Sequence, residues 1–331
     1  MGDTGKGLRD STVYLLQVLK RDSPQPAKVT EYPRRVSPFD SKDDYTYSNL
    51  IRKKGEEGNM KSEPTVFLSY PFLLRLKLES TNLPILIHYT MRTSIRQYSS
   101  RPVEDDLLNE LLAQAEQTQT MGNLQLYSVV VTRSDEMKQK LAPAHFNQPM
   151  VTGAPVVLTF CADYHRTTAW AQHRKGHPGY DNFLSYQNAA TDALLFCQRF
   201  CDLAEAAGLG LCFLGTTVYQ PAAIIRLLQL PQLVMPVATI TLGWPAEHPN
   251  PSDRLPLSAI RHDETYQPVT AETINRDYAA KEALPENLEF VRINQTETLA
   301  QIFTDIRYTA KDCQTLSTGL LEALRMQGFL D

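Results

Sequence analysis

From residue 104 onward the sequence predicts a domain in which helices and strands alternate. Residues 104–117 place leucines on one helical stripe, with acidic residues in the first turn. Residues 154–162 form a continuous apolar run of the kind found in strands buried on both faces. Residues 188–207 form a long, almost wholly apolar helix that stops at Gly208, a residue typical of helix ends.

The remaining elements follow from the same periodicities and end signals. A run of valines predicts a strand over residues 126–132, and a capping-type serine opens a short helix over 134–141. The later predictions, in chain order, are a strand at 211–214, a helix at 222–228, a strand at 234–242 and helices at 270–283 and 298–327, with a polar connection at 284–294.

Residues 1–90 differ in composition from the rest of the chain. They carry 14 Lys and Arg against 11 Asp and Glu, whereas the remainder carries 19 against 26, which makes the net charges +3 and −7. Residues 20–65 are rich in Pro, Ser and charged residues, a composition that buries too little apolar area to offset the entropy of ordering. Residues 83–90 make a poor helix because Pro84 and β-branched isoleucines interrupt them.

This contrast divides the chain of 331 residues into two parts. Residues 91–331 are expected to form the folded domain. Residues 1–90 are expected to be an N-terminal extension, either disordered or produced by a misplaced translation start, since Met91 directly precedes the most informative motif. The alternative is that the extension is a functional module.

Composition also argues against several classes of protein. Neither charge balance suggests a nucleic-acid binder, and no apolar run is long enough to span a bilayer. The five cysteines are few, odd in number and set in apolar segments, which favours a reducing compartment over a disulfide framework. Residues 12–19 are too short for a signal-peptide core and lack a cleavage site. We therefore expect a cytoplasmic protein without nucleic-acid or membrane partners.

Three apparent site motifs are better explained as ordinary structure. The glycines at 208–210 leave a helix and enter a strand, whereas those of a dinucleotide fingerprint leave a strand and enter a helix. His173 and His177 have helical spacing, but the glycine and proline around them break a helix, so no ligand set for zinc results. Cys197 and Cys201 lack a second ligand pair and are expected to be buried. No metal is expected.

Residues 92–98 (RTSIRQY), which we call the arginine segment, are the most informative stretch of the chain. Arg92, Thr93, Ser94 and Arg96 place two guanidiniums and two hydroxyls within five residues. Such groups bind anions through directed, charge-assisted hydrogen bonds. Because the chain has no Walker-type loop, a nucleotide phosphate would need a site of this kind. The alternative is a pair of solvated surface arginines without a ligand.

Further motifs follow the arginine segment in a recognisable order and spacing. They are NLQLY at 123–127, GAPVVL at 153–158, GLGLCFLG at 208–215, and LGWPA at 242–246 with RLP at 254–256. With these motifs the chain resembles the nitroreductase family of flavin mononucleotide (FMN) enzymes, most closely its nitroreductase A and flavin reductase P branch, over roughly residues 91–331. The resemblance implies an α+β fold with a mainly antiparallel sheet flanked by helices. It also implies a domain-swapped homodimer with two FMN sites at the subunit interface.

By this resemblance, Arg92, Ser94 and Arg254 are the side chains that bind the FMN phosphate. Two positions depart from the pattern of the branch. Thr93 stands where a basic residue is usual, and Ser252 stands where the branch has a lysine. The phosphate site is therefore expected to be less positive, and FMN to bind more weakly.

The resemblance also implies the residues around the flavin ring. They are Arg96 near N1 and O2, Thr120, Met121 and Asn123 in a loop along the ribityl chain and ring, Gln148 at the isoalloxazine, and Leu214, Gly215 and Thr216 as the backbone segment facing N5. A fixed cation near N1 stabilises the anionic reduced flavin. Gly215 would allow the backbone to approach the ring closely.

The implied activity is reduction of nitroaromatics, quinones or free flavin by NADPH or NADH through bound FMN. The flavin N5 would carry the hydride in two-electron, ping-pong steps, and no side-chain acid or base is obligatory. Lys281 and Arg292 are candidates for the 2′-phosphate of NADPH. The alternatives are a flavin or ene/quinone reductase with little nitro activity, and a non-catalytic flavin-binding or stress-interaction protein.

Overall fold

The computed structural model describes residues 67–68, 75–77, 84–87 and 92–331, and the chain divides into two compact units between Thr90 and Met91. In the first unit, β1 (Phe67–Leu68), β2 (Arg75–Lys77) and β3 (Pro84–Ile87) form a sheet in which β3 is central. β1 runs parallel to β3, and β2 runs antiparallel to it. The expectations for residues 1–65 concern residues outside those that the structure describes, and the division into domains stays a prediction.

The second unit contains the remaining helices and strands. Its strands are β4 (Tyr127–Thr132), β5 (Val156–Asp163), β6 (Gly210–Leu214) and β7 (Val234–Gly243). Its helices are α1 (Asp105–Ala115), α2 (Asp135–Leu141), α3 (Pro149–Gly153), α4 (His165–His173), α5 (Phe183–Ala206), α6 (Pro221–Leu227), α7 (Ala271–Glu282), α8 (Pro285–Asn294), α9 (Leu299–Gln301) and α10 (Ala310–Met326).

The four strands of this unit form one sheet in the order β4-β5-β7-β6, with every neighbouring pair antiparallel. β5 and β7 are buried along their whole length, as expected for central strands covered on both faces. The sheet packs against α5, and α1 packs in turn against α5, in a core that includes Phe160 and Phe200. The expected α+β fold with an antiparallel sheet flanked by helices is confirmed.

A smaller apolar cluster lies apart from this main core and joins β6 to α2, α3 and the 3₁₀ turn Ala142–His145. Its buried members are Leu141, Ala142, Met150, Val151, Cys212 and Leu214. This cluster connects the end of β6 to the turn that ends at His145 and to α3, which Gln148 directly precedes.

Most of the sequence-based elements are confirmed to within a few residues. Two helix starts show why the patterns worked. The side chain of Ser134 accepts a hydrogen bond from the Met137 N–H, and Thr270 forms a capping box with Thr273. Gly208 follows the long helix with a φ of +85°, the left-handed conformation that glycine adopts easily.

Three predictions about helices are wrong in extent or kind. α5 begins at Phe183 rather than at residue 188, because the side chain of Asn182 accepts from the Ser185 N–H and caps the helix there. The supposed polar connection at 284–294 is α8, which begins with Pro285 in its first turn. The single helix predicted at 298–327 is interrupted by a π-helical segment, Ile302–Arg307, before Thr309 caps α10.

Two further properties bear on the class of the protein. Among the described residues, none of the helices combines the length and apolarity needed to cross a bilayer. All five cysteines are free, and the expectation that they sit in apolar surroundings fails for one of them. Cys161, Cys197, Cys201 and Cys212 are buried, whereas Cys313 is exposed in the first turn of α10.

Candidate functional site

The arginine segment lies alongside the start of β6, and close backbone packing fixes it there. The Ile95 N–H donates to the Leu211 carbonyl over 3.0 Å, and the Tyr98 hydroxyl lies 2.7 Å from Thr241 Oγ1. The buried Ile95 fills the space above Gly210, where an added Cβ would come within 2.7 Å of its side chain. Gly210 is therefore needed for this close approach.

The exposed end of the segment is held from the loop that follows β7. The backbone N–H groups of Arg96 and Gln97 both donate to Glu247 Oε1, over 2.5 and 3.0 Å. Next along the chain, the Arg101 guanidinium stacks on the Trp244 ring at 3.6 Å. The segment thus has a fixed path, while the side chain of Arg96 stays exposed.

Arg92 and Arg96, which the resemblance assigns to the phosphate and to N1 and O2 of the flavin, both affect the pKa of the buried Cys212 thiol. Burial raises the pKa of Cys212, and the guanidiniums of Arg96 and Arg92 oppose that rise. Arg92 is one-third exposed and lies 3.4 Å from Glu205 Oε1. Burial raises the pKa of Glu205, which Arg92 counteracts. Thr93 and Ser94 lie between the two arginines and are partly buried.

The predicted loop at 120–123 is organised by a buried carboxylate that sequence analysis missed. Asp192 of α5 is only 2% exposed and accepts hydrogen bonds from the N–H groups of Met121 (2.9 Å) and Leu126 (3.2 Å). Thr120 enters the loop in extended conformation, and Asn123 adopts a positive φ of 55°. The one charged residue in the run of residues 188–198 was the available signal for Asp192.

The third part of the site is the 3₁₀ turn Gly215–Val218, which follows directly on β6. Leu214 is buried as the last residue of the strand, and its carbonyl accepts a hydrogen bond from Thr217 Oγ1 over 2.9 Å. A Cβ built on Gly215 would meet no atom within 4 Å, so the space in front of this backbone is open. The side chain of Thr216 points to the interior, where its Oγ1 lies 2.9 Å from His145 Nδ1.

Gln148 is placed beside this turn by a tight reversal of the chain. The backbone of Phe146 and Asn147 is left-handed, and the Gln148 N–H donates to the His145 carbonyl over 3.2 Å. His145 itself is fully buried, and burial lowers its pKa to about 4. Sequence analysis missed His145 because nothing in the sequence distinguishes a buried histidine from one in an exposed loop.

Arg254 lies in the exposed loop that follows β7. It is exposed, and its guanidinium donates to the nearby carbonyls of Ser252 and Asp253 over 3.3 and 2.8 Å. Its assignment to a phosphate therefore stays a prediction that rests on the sequence resemblance.

The arrangement suits an anionic ligand that carries a flat apolar group. Two guanidiniums lie near β6, the backbone at Gly215 is open, and the side chains of Met121 and Phe213 are nearly half exposed. No group of three or more His, Cys, Asp or Glu side chains within the described part of the chain could hold a metal ion.

Comparison with known proteins agrees with this chemistry. The chain matches the model of the nitroreductase family over residues 89–244. The protein in a crystal structure from Bacteroides fragilis NCTC 9343 is 57% identical to this chain in sequence. The two structures align with a TM-score of 0.72 over 72% of this chain and 98% of that one. The FMN reductase (NAD(P)H) of Bacillus subtilis strain 168 is 31% identical over 179 residues, which are 54% of this chain and 72% of that protein.

A third relative is the oxygen-insensitive NADPH nitroreductase of Salmonella typhimurium strain LT2. It is 29% identical over 185 residues, which are 55% of this chain and 75% of that protein. The chain therefore belongs to the nitroreductase family of oxidoreductases, as the resemblance of its motifs predicted.

Proposed function

We propose that this protein is an FMN-dependent NAD(P)H oxidoreductase that reduces nitroaromatics, quinones or flavins by two-electron hydride transfer. The observation that carries the proposal is that the arginine segment lies alongside β6, held by the Ile95 N–H to Leu211 carbonyl hydrogen bond, and that β6 is followed by the open position at Gly215. The relatives named FMN reductase and NADPH nitroreductase support both the cofactor and the reductant.

The residues of the site fit FMN in charge and in shape. The cofactor carries a phosphate, for which we propose Arg92, Ser94 and Arg254, and a flat ring system that needs an open, apolar-edged space. The open backbone at Gly215 and the exposed side chain of Met121 support the proposal of such a space. For the remaining contacts we propose Thr93 at the phosphate side, and Arg96, Thr120, Asn123, Gln148, Leu214 and Thr216 around the ring and ribityl chain.

When bound, FMN would supply a carrier for the hydride at N5. The task of Arg96 is to stabilise negative charge near N1. A unit charge at ~4 Å contributes about 4 kcal/mol at an effective dielectric of ~20 and about 1 kcal/mol in water. Because Arg96 is exposed, we expect a contribution nearer the lower value. The N–H groups of Gly215 and Thr216 can donate towards N5, and Asp192 holds the loop that borders the ring.

We also propose that the active protein is a homodimer. Leucines Leu184, Leu194 and Leu195 lie on the outer side of α5 and are 68%, 44% and 42% exposed. A helix whose buried face already packs on the sheet gains nothing from further leucines in water, so a second copy of the chain is the occupant that we propose for this face. FMN sites at that interface would draw residues from both chains.

The preference between NADH and NADPH is expected to be weak. Lys281 Nζ lies 2.7 Å from Asp253 Oδ2, and the Arg292 guanidinium lies 2.5 Å from Glu289 Oε1. Both cations proposed for the 2′-phosphate thus already have carboxylate partners. Binding the phosphate would mean giving up these partners, which reduces the net gain from the extra charge.

An absorbance spectrum of the purified protein tests the proposed function. We expect a bound yellow flavin that NADH or NADPH bleaches within seconds under anaerobic conditions, and whose colour returns when a nitroaromatic or quinone is added. A flavin that stays oxidised would instead indicate a non-catalytic flavin-binding protein. Return of colour with quinone or free flavin but not with nitroaromatics would indicate the narrower quinone or flavin reductase.

A further inference from the structure

His145 and Thr216 form a buried polar pair beneath the turn that begins at Gly215. His145 ends the 3₁₀ turn Ala142–His145 and is fully buried, and its Nδ1 lies 2.9 Å from Thr216 Oγ1. Thr216 directly follows Gly215, whose own surroundings are open. One end of this short turn is therefore held from inside the protein by an imidazole, while its backbone borders the proposed flavin site.

Packing alone does not account for an imidazole at this position. Nε2 is buried and has no hydrogen-bonding partner among the described residues. A neutral imidazole has one donor and one acceptor nitrogen, so either tautomer leaves a buried polar atom unsatisfied if Nδ1 bonds Thr216. Such unsatisfied atoms are uncommon and unfavourable. A leucine or phenylalanine would fill the neighbouring apolar cluster without that disadvantage.

The pair holds the turn without adding charge to the site. Burial lowers the pKa of His145 to about 4, so the ring is neutral at neutral pH. Other support for the turn is local, from the bond between Thr217 Oγ1 and the Leu214 carbonyl and from the Tyr219 N–H to the Thr216 carbonyl. 3₁₀ turns have poorer hydrogen-bond geometry than α-helices, so an added tie to the interior has a large effect on their rigidity.

We propose that His145 is a positioning residue that, through the hydroxyl of Thr216, fixes the direction of the peptide N–H groups at Gly215 and Thr216 towards the flavin N5. This inference rests on the proposed function. Donors aimed at a reacting atom are effective only when they are held in place before the reaction, because no energy is then spent on turning them. The imidazole supplies that constraint from a position that never touches the flavin.

The test compares two substitutions at Thr216 in the full-length holoprotein, one close to threonine in volume and one smaller by a methyl group. Thr216→Val removes the hydroxyl and keeps the branched shape, whereas Thr216→Ser keeps the hydroxyl. The measurement is the rate of flavin bleaching by NADPH in an anaerobic stopped-flow instrument, together with the visible spectrum of the bound flavin, its content and the melting temperature. We expect Thr216→Val to slow bleaching about tenfold and to shift the spectrum at unchanged flavin content, and Thr216→Ser to recover most of the rate.

Replacing the other partner gives an independent check. His145→Leu should slow bleaching as much as Thr216→Val does, and the double variant should be no slower than either one, because both changes remove the same hydrogen bond. If His145→Leu does not fold, His145→Asn serves instead, since its amide places a polar atom close to the position of Nδ1. That variant should retain most of the rate in the wild-type background and lose it when combined with Thr216→Val.

The outcomes separate this inference from the proposed function. Wild-type rates and spectra in both Thr216→Val and His145→Leu would overturn the positioning role and leave the proposed activity intact. Equal slowing by Thr216→Ser and Thr216→Val would also overturn it, because the loss of rate would then not follow the loss of the hydroxyl. A wild-type protein without flavin, or with flavin that NADPH does not bleach, would overturn both.

Discussion

At the scale of single residues, Arg92 tests the proposed phosphate site, and its guanidinium has Glu205 as a carboxylate partner at 3.4 Å. Arg92→Ala is expected to weaken FMN binding by roughly 10- to 150-fold, since a hydrogen bond to a charged group contributes roughly 1.5–3 kcal/mol. Ser252→Lys should tighten binding by adding a cation where the relatives of this branch have one. Fluorescence titration of the apoprotein with FMN measures both effects.

The matched control is Arg174→Ala, which removes an exposed arginine at the end of α4 and should leave FMN affinity unchanged. Arg254→Ala is informative beside it. Because Arg254 is exposed and its contacts are local, we expect a smaller loss than for Arg92, below tenfold. Full affinity in Arg92→Ala would contradict the phosphate assignment.

The neutral His145 makes the stability of the fold depend on pH. Its pKa is lowered from 6.5 to about 4 in the folded protein, so between these values only the unfolded chain binds the proton. Stability is therefore complete above pH 6.5 and is lost as the pH falls towards 4, by up to about 3 kcal/mol for a shift of this size. Urea unfolding of wild type and His145→Leu across this range measures the difference. Parallel pH profiles for the two proteins would show that His145 does not titrate as described.

Among single residues, charged ones that cluster in a surface motif are easier to find from the sequence than buried polar ones. Arg92 and Arg96 were singled out because arginines and hydroxyls crowd a short segment, which the Ile95 N–H to Leu211 carbonyl bond holds alongside β6. Asp192 and His145 were missed because a polar residue in an apolar context looks the same whether it faces solvent or a partner far along the chain. Their hydrogen bonds to Met121 and Thr216 span 71 residues each.

Among the elements, α5 carries the exposed leucine face that we propose as the dimer interface. Leu195→Glu on its outer side should convert the proposed dimer to monomers and lower flavin content, because a carboxylate would be buried without a partner. Light scattering after size-exclusion chromatography measures the mass. The control is Leu288→Glu on α8, a leucine that is 57% exposed and lies away from this face. A monomeric wild type, or a dimer unaffected by Leu195→Glu, would contradict the assignment.

Elements with a clear hydrophobic period were predictable, and those defined mainly by their ends were not. The leucine stripe of α1 indicates a helix, and the continuous apolar runs of β5 and β7 indicate buried strands. α8 has weak amphipathicity and none of its residues is buried, so the proline in its first turn was the only sequence signal for this helix. The π-helical segment before α10 has no periodicity that distinguishes it from a continuous helix.

For the molecule as a whole, the first prediction concerns the N-terminal region. Removal of residues 2–88 should leave a protein that still forms a dimer and has normal FMN content and bleaching rate. The reason is that every residue proposed for the site lies at 92 or beyond. Absorbance, light scattering and stopped-flow measurements on the shortened chain test this. Insolubility or loss of flavin would show instead that the first unit contributes to the fold or to the site.

The second whole-molecule prediction concerns the order of substrate binding. The described residues offer no separate dinucleotide loop, so one open space above the flavin must serve NAD(P)H and the oxidant in turn. Double-reciprocal plots at several oxidant concentrations should therefore be parallel, as in ping-pong kinetics. Two-electron reduction should also proceed equally well in air. Intersecting lines, or rapid oxygen consumption during nitro reduction, would contradict this mechanism.

Two glycines five residues apart, Gly210 and Gly215, are expected to respond in opposite ways to substitution. At position 210 even alanine collides with the side chain of Ile95, so substitutions there displace the arginine segment and report on folding. At position 215 a methyl group meets only open space, so alanine leaves the unliganded protein undisturbed. A mutational scan that scores abundance and turnover separately would see position 210 fail in both assays. Position 215 would fail in turnover alone, and the contrast locates the ligand without a bound structure.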